Sequence, residues 1–290
     1  MKKISLLLVF CLALSCAVLP FSAAAVHQKE PEMGAFSYGD MIIEEVEYTR
    51  KVDSIFFFEG ELPQYNYGGP NGGKACALNA TANIIGYYDK WYPQLIPNFT
   101  SYFFYSNGQL GYNFQNAAVS AMMYDLIDVM GNVANGYTVS QVKNGLVAYT
   151  SGKGLFAAYS SVMQSGSFSF DKYVYEMSVG RPVFLGLSQY HMAEIGTSGN
   201  TDYLGYSYPL TNDNHAMVGY GYRIIQYYRL ETKLVWSPTL LNPFRYITVT
   251  EEVNFRNETF LMVQEGDALC YLNINHSFNA FDAFGVWIGN

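Results

Sequence analysis

The stretch that decides the fold is "LPQYNYGGPNGGKACALNATANIIGYYD", residues 62–89. Two chemistries compete for it. Gly68, Gly73 and Lys74 fit the opening of a phosphate loop, G-x-x-x-x-G-K, and two residues beyond Lys74 stands Cys76. A working phosphate loop continues with Ser or Thr, whose hydroxyl holds Mg²⁺. Here that place is taken by Ala75, which has no oxygen to offer. The alternating strand–helix pattern that should follow is also missing.

The cysteine reading accounts for more. Small and apolar residues run almost all the way round "ACALNATANIIGYYDK" (75–90), which predicts a buried helix with Cys76 at its start. A thiol there meets unpaired backbone N–H groups and the positive end of the helix dipole. Both favour the thiolate, the nucleophilic form. The glycines before it let backbone N–H groups approach a substrate closely.

A nucleophile needs a base. The histidines are His27, His191, His215 and His276. His27 and His276 lie near the ends of the chain, at positions expected on the surface. His215 opens the apolar run "HAMVGYGYRII" (215–225) and lies 139 residues beyond Cys76 (215 − 76). That spacing falls in the window of about 130–150 residues of papain-type enzymes. His191, after "LSQY", is the second candidate.

The N-terminus reads as a secretory signal. Lys2 and Lys3 precede an apolar run that ends in Ala23-Ala24-Ala25, so cleavage is expected after Ala25. Cys16 makes a poor lipid-anchor site, because "ALSC" departs from the leucine-rich lipobox and the apolar run continues past it. No later segment reaches membrane-spanning length. Secretion is therefore expected, without stable membrane insertion once the signal is gone.

The full chain of 290 residues carries −8. Losing Lys2 and Lys3 leaves 14 basic against 24 acidic residues, a balance of −10. That excludes nucleic acid as a natural partner, since phosphate binding needs clustered Lys and Arg. Half of the residues are hydrophobic and 14% charged, the composition of an aromatic-packed globular protein. Cys11 and Cys16 leave with the signal, so only Cys76 and Cys270 remain. They could form one disulfide, or at least one could be a working thiol.

Residues 26–57 are the most charged part and are either a short propeptide or strands added to the main domain, with "SIFFFEG" a strand candidate. Helices are expected over 75–90, 116–130, 140–150 (capped by Thr138 or Ser140) and 170–180 (ended by Gly180). Strands are expected over 181–188, 215–225, 227–236 and 244–253. Helices fill the first half and strands the second, which argues for a segregated α+β fold. The catalytic domain is expected over 58–265, with 266–290 its C-terminal segment.

Four motifs carry a resemblance: Pro63-Gln64-Tyr65; Cys76-Ala77-Leu78-Asn79-Ala80; Gly180-Arg181-Pro182-Val183; and His215-Ala216-Met217-Val218-Gly219-Tyr220-Gly221-Tyr222. In this order and spacing the chain resembles a papain-like cysteine peptidase, in the secreted bacterial branch related to the bacteriocin leader-processing peptidases. The likeness covers about residues 60–250. It implies a papain-like fold, a peptide or protein substrate, and no metal or cofactor. It implies Cys76 as nucleophile, His215 as general base and acid, and Gln64 as an oxyanion-hole donor. The chain departs from the pattern at the third residue, where the family places Asn or Asp to orient the imidazole. Asn242 is the nearest such residue after His215, and Ser237 is its rival. A Cys–His cell-wall amidase and an inactive peptide-binding relative are the competing functions. Oligomeric state is left open.

Overall fold

The computed structural model describes residues 41–57, 62–63, 65–67, 74–99, 103–104, 110–111, 117–131, 136–198, 201–205, 213–265 and 268–290. The expected signal segment, residues 26–40 and Gln64 lie outside the described residues. The elements run β1 (Met41–Phe57), α1 (Cys76–Asp89), β2 (Phe103–Phe104), β3 (Leu110–Gly111), α2 (Ala117–Met130), α3 (Val139–Gly152), β4 (Phe156–Ser161), β5 (Met163–Gln164), β6 (Ser167–Phe168), α4 (Phe170–Ser178), β7 (Val183–Gln189), β8 (Met192–Ser198), β9 (Thr201–Gly205), β10 (His215–Trp236), β11 (Tyr246–Glu265), β12 (Ala268–Asn273) and β13 (Asn279–Gly289). Helices dominate the first half and antiparallel strands the second, so the class is α+β.

The helices start and stop where local chemistry dictates. In α1 every residue from Ala77 to Asp89 is buried. In α2 the buried residues Val119, Met122, Met123, Leu126 and Met130 recur on one helical face. Thr138 caps α3 through a full capping box with Gln141. Ser169 caps α4 by accepting from the Lys172 N–H. That helix closes on Gly180, at φ 69°. The Gly180 N–H reaches the Met177 carbonyl and the Arg181 N–H reaches the Glu176 carbonyl, the two bonds of a Schellman stop.

The chain divides into two compact units, one of residues 50–228 and 254–290 and a smaller one of residues 1–49 and 229–253. In the larger unit the strands lie in the order β4-β13-β7-β10-β11-β12-β8-β9, and β1 also pairs with β10. Antiparallel ladders join β4 to β13, β13 to β7, and β7 to β10. β7 is buried from Val183 through Leu187 because β10 and β13 flank it and α4 packs on it. That explains its unbroken apolar run.

Two expected strands, 215–225 and 227–236, are one continuous strand, β10. Only the polar Gln226 separates them, and without Gly or Pro a single polar residue does not end a strand. Gly219 has a packing reason: a Cβ there would sit 2.5 Å from Tyr173 Oη of α4. The Tyr173 hydroxyl then donates to the Gly221 carbonyl at 2.8 Å. Phe56 of β1 stacks on Tyr222 of β10, with centroids 5.4 Å apart, so the end of β1 is built into the larger unit. β12 and β13 fall in a region where the sequence offered no clear strand pattern.

In the smaller unit, β10 and β11 continue as a hairpin. Lys233 bridges Glu231 and Glu251, and the Thr232 and Thr250 hydroxyls meet at 3.1 Å. The Ser237 N–H donates to the Arg245 carbonyl at 2.8 Å.

Candidate active site

Cys76 is the first residue of α1, and the residue before it, Ala75, makes no side-chain cap. Most helices place Ser, Thr, Asp or Asn there to satisfy the exposed N–H groups. The first turn of α1 also holds no acidic residue. Nothing in the helix therefore competes with the Cys76 sulfur for its positive end.

His215 is the first residue of β10, opposite Leu187 of β7 in the ladder. Its imidazole acts on the Cys76 thiol by hydrogen bonding and charge. Burial pushes the thiol pKa up. The His215 hydrogen bond and charge, with the backbone N–H groups of Ala216 and Ala77, outweigh it and hold the thiol below its ordinary value. Two elements far apart in sequence thus supply a polarised thiol and its proton acceptor. Neither Cys76 nor Cys270 is in a disulfide.

The imidazole also meets Tyr190. Their ring centroids are 5.6 Å apart and the planes are inclined by 24°. Tyr190 is buried, in the short connection between β7 and β8. No local sequence signal marks it, since an aromatic after a strand is ordinary in a chain with 26 tyrosines. His191 is instead held by its backbone, whose carbonyl accepts from the Asn273 N–H.

The loop before the helix is fastened to α1 by two buried asparagines. Asn83 Oδ1 accepts from the Tyr65 N–H at 2.7 Å, and Asn79 Oδ1 accepts from the Tyr67 N–H at 2.9 Å. Asn79 Nδ2 donates to Asn66 Oδ1 at 3.0 Å. Gly86 completes the track, since a Cβ there would lie 2.5 Å from Pro63 Cγ and 2.5 Å from Tyr65 Cε2. Positions 76, 79, 83 and 86 share one face of the helix. One stripe of α1 therefore carries the thiol and holds Pro63 and Tyr65–Tyr67, the sequence neighbours of Gln64. The signal for these residues was an Asn pair at i, i+4 in an otherwise apolar helix.

Asn242 serves its own turn. Its Oδ1 accepts from the Phe244 N–H at 3.2 Å, and its N–H donates to the Thr239 carbonyl and Oγ1. It belongs to the smaller unit and His215 to the larger. Ser237 likewise closes the hairpin through its backbone. Among the described residues no group of three or more His, Cys, Asp or Glu could hold a metal ion.

No protein-family model, curated protein or solved structure matches the chain.

Proposed function

We propose that the chain is a secreted cysteine peptidase of papain-like type. The observation that carries the reading is the hydrogen-bonded pair of Cys76 and His215, with the thiol lowered and at the uncapped start of a buried helix. The architecture is compatible with it: the nucleophile comes from a helical half and the base from an antiparallel sheet. The four sequence motifs give the same assignment from another direction.

In this reading the Cys76 thiolate attacks the carbonyl carbon of a peptide bond, and the oxygen takes the negative charge. Backbone N–H groups at the start of α1 and the Gln64 amide are the donors assigned to that oxygen; one such donor is worth about 3–4 kcal/mol in the transition state. The His215 imidazolium gives its proton to the leaving amine, and a thioester remains on Cys76. Water then attacks the thioester and passes a proton to His215, which releases the carboxylic acid and restores the thiolate–imidazolium pair. No charged third residue is needed if the imidazole is oriented by the Tyr190 ring.

The test is casein hydrolysis by the purified chain before and after iodoacetamide, beside Cys76→Ala and His215→Ala. Loss of hydrolysis in all three, with circular dichroism unchanged, supports the reading. Release of cell-wall fragments without casein hydrolysis would make the same pair an amidase. Peptide binding with neither activity would make the chain an inactive relative.

A further inference from the structure

We infer that the tip of the β10–β11 hairpin is an interfacial membrane anchor for anionic lipid surfaces. The tip reads Trp236-Ser237-Pro238-Thr239-Leu240-Leu241-Asn242-Pro243-Phe244. Leu240 and Leu241 are fully exposed, Phe244 is 73% exposed and Trp236 is 60% exposed. Four large apolar side chains at one turn form more exposed apolar surface than solubility favours. Trp and Leu at the end of a polar support are what the boundary between headgroups and acyl chains accepts.

Two further observations select a lipid surface as the occupant. The first is charge. Residues 232–250 contain Lys233 and Arg245 and no acidic residue, in a chain that carries −8 overall. Lys233 is shared between Glu231 and Glu251 lower on the hairpin, while Arg245 stands beside the apolar turn. An acid-free apolar tip with a cation beside it suits a negatively charged surface.

The second is backbone satisfaction, which a water-poor layer demands. The Thr239 N–H donates to the Asn242 carbonyl, the Asn242 N–H returns to Thr239, and the Phe244 N–H donates to Asn242 Oδ1. Pro238 and Pro243 bring no N–H at all. The Trp236 indole N–H donates to the Pro243 carbonyl at 3.1 Å and clips the turn from the side. The tip thus uses the Thr239, Asn242 and Phe244 N–H groups and the Trp236 indole internally and leaves the Leu240 and Leu241 side chains exposed. Among the described residues no helix is long and apolar enough to cross a membrane, so the contact would be peripheral.

The experiment is co-sedimentation of the full chain with phosphatidylcholine vesicles, with and without phosphatidylglycerol. The Leu240→Asn/Leu241→Asn double variant is compared in the same background, so the apolar N-terminus is common to both. The expected result is binding to the anionic vesicles that falls at least about tenfold in the double variant. Quenching by brominated lipid should disappear in Trp236→Phe, a local readout that does not depend on the double variant's folding. Equal partitioning of wild type and double variant, or quenching that survives Trp236→Phe, would overturn the proposal. So would concentration-dependent self-association removed by the double variant without vesicle binding, which would make the tip a contact between copies.

Discussion

The Tyr190 ring lies against the His215 imidazole, 5.6 Å between centroids and 24° between planes. The contact limits rotation of the imidazole and offers its π face to the charged form of the ring. It holds the ring by its face, unlike a carboxylate or amide, which would bond a ring nitrogen in the plane. Tyr190→Ala should lower turnover about tenfold, in the range that orienting partners contribute. Tyr190→Phe keeps the ring and should stay much nearer wild type. The distinguishing readout is the pH profile of Cys76 alkylation, whose rise should move to higher pH in Tyr190→Ala. An unmoved profile in that variant would leave the stacking without a catalytic role.

Asn83 is the tie between the helix and the loop before it. Asn83→Ala would leave the buried Tyr65 N–H without its 2.7 Å acceptor. The cost should be about 1–3 kcal/mol in urea unfolding, the usual penalty for an unpaired buried polar group. A change below about 0.5 kcal/mol would mean that water or another group takes over the bond.

Asp89 ends α1 with its carboxylate buried, and Oδ1 accepts from the Ile96 N–H at 2.8 Å. Burial outweighs that bond and pushes the pKa up to about 7. A folded-state pKa above the unfolded one stabilises at low pH. The contribution is complete below about pH 4 and is lost as pH rises through about 7, a change of roughly 4 kcal/mol. Asp89→Asn keeps the acceptor and cannot ionise. Chemical denaturation at several pH values should show the wild-type minus variant difference shrinking as pH falls from 8 to 4. A difference that does not change with pH would mean that Asp89 ionises normally.

A chain begun at residue 58 would lack β1. It would lose the stacking of Phe56 on Tyr222 and expose an edge of β10. The shorter chain should melt at lower temperature and precipitate more readily. If it is soluble, equally stable and more active, residues before 58 act as a restraint.

The site was legible where chemistry leaves a local mark. Cys76 stood out by its helix start, and His215 by its spacing and its apolar strand. Tyr190 left no such mark, because an aromatic after a strand is ordinary in a chain with 26 tyrosines. Its role depends on the β7–β10 register, a tertiary fact. Asn79 and Asn83 could have been read, since two buried amides one turn apart need partners outside the helix. Asn242 followed from the resemblance alone, and its place is set by a turn whose hydrogen bonds are local. β12 and β13 were missed because residues 254–290 mix polar and apolar positions without a clean period. β13 in particular pairs on both edges, which hides the alternation of a half-exposed strand.

The position of β13 carries a consequence for timing. The last strand in the sequence is an inner strand of the sheet, between β4 and β7, and β7 supports His215. Until residues 279–289 have left the ribosome, β7 has one edge open and its ladder to β10 has no backing. A partly made chain therefore holds Cys76 and His215 without the frame that brings them together. A chain stopped at Phe278 should show slow, unselective alkylation of Cys76, and fast alkylation would refute this. An inner strand made after both Cys76 and His215 thus ties the meeting of these two residues to completion of the sheet.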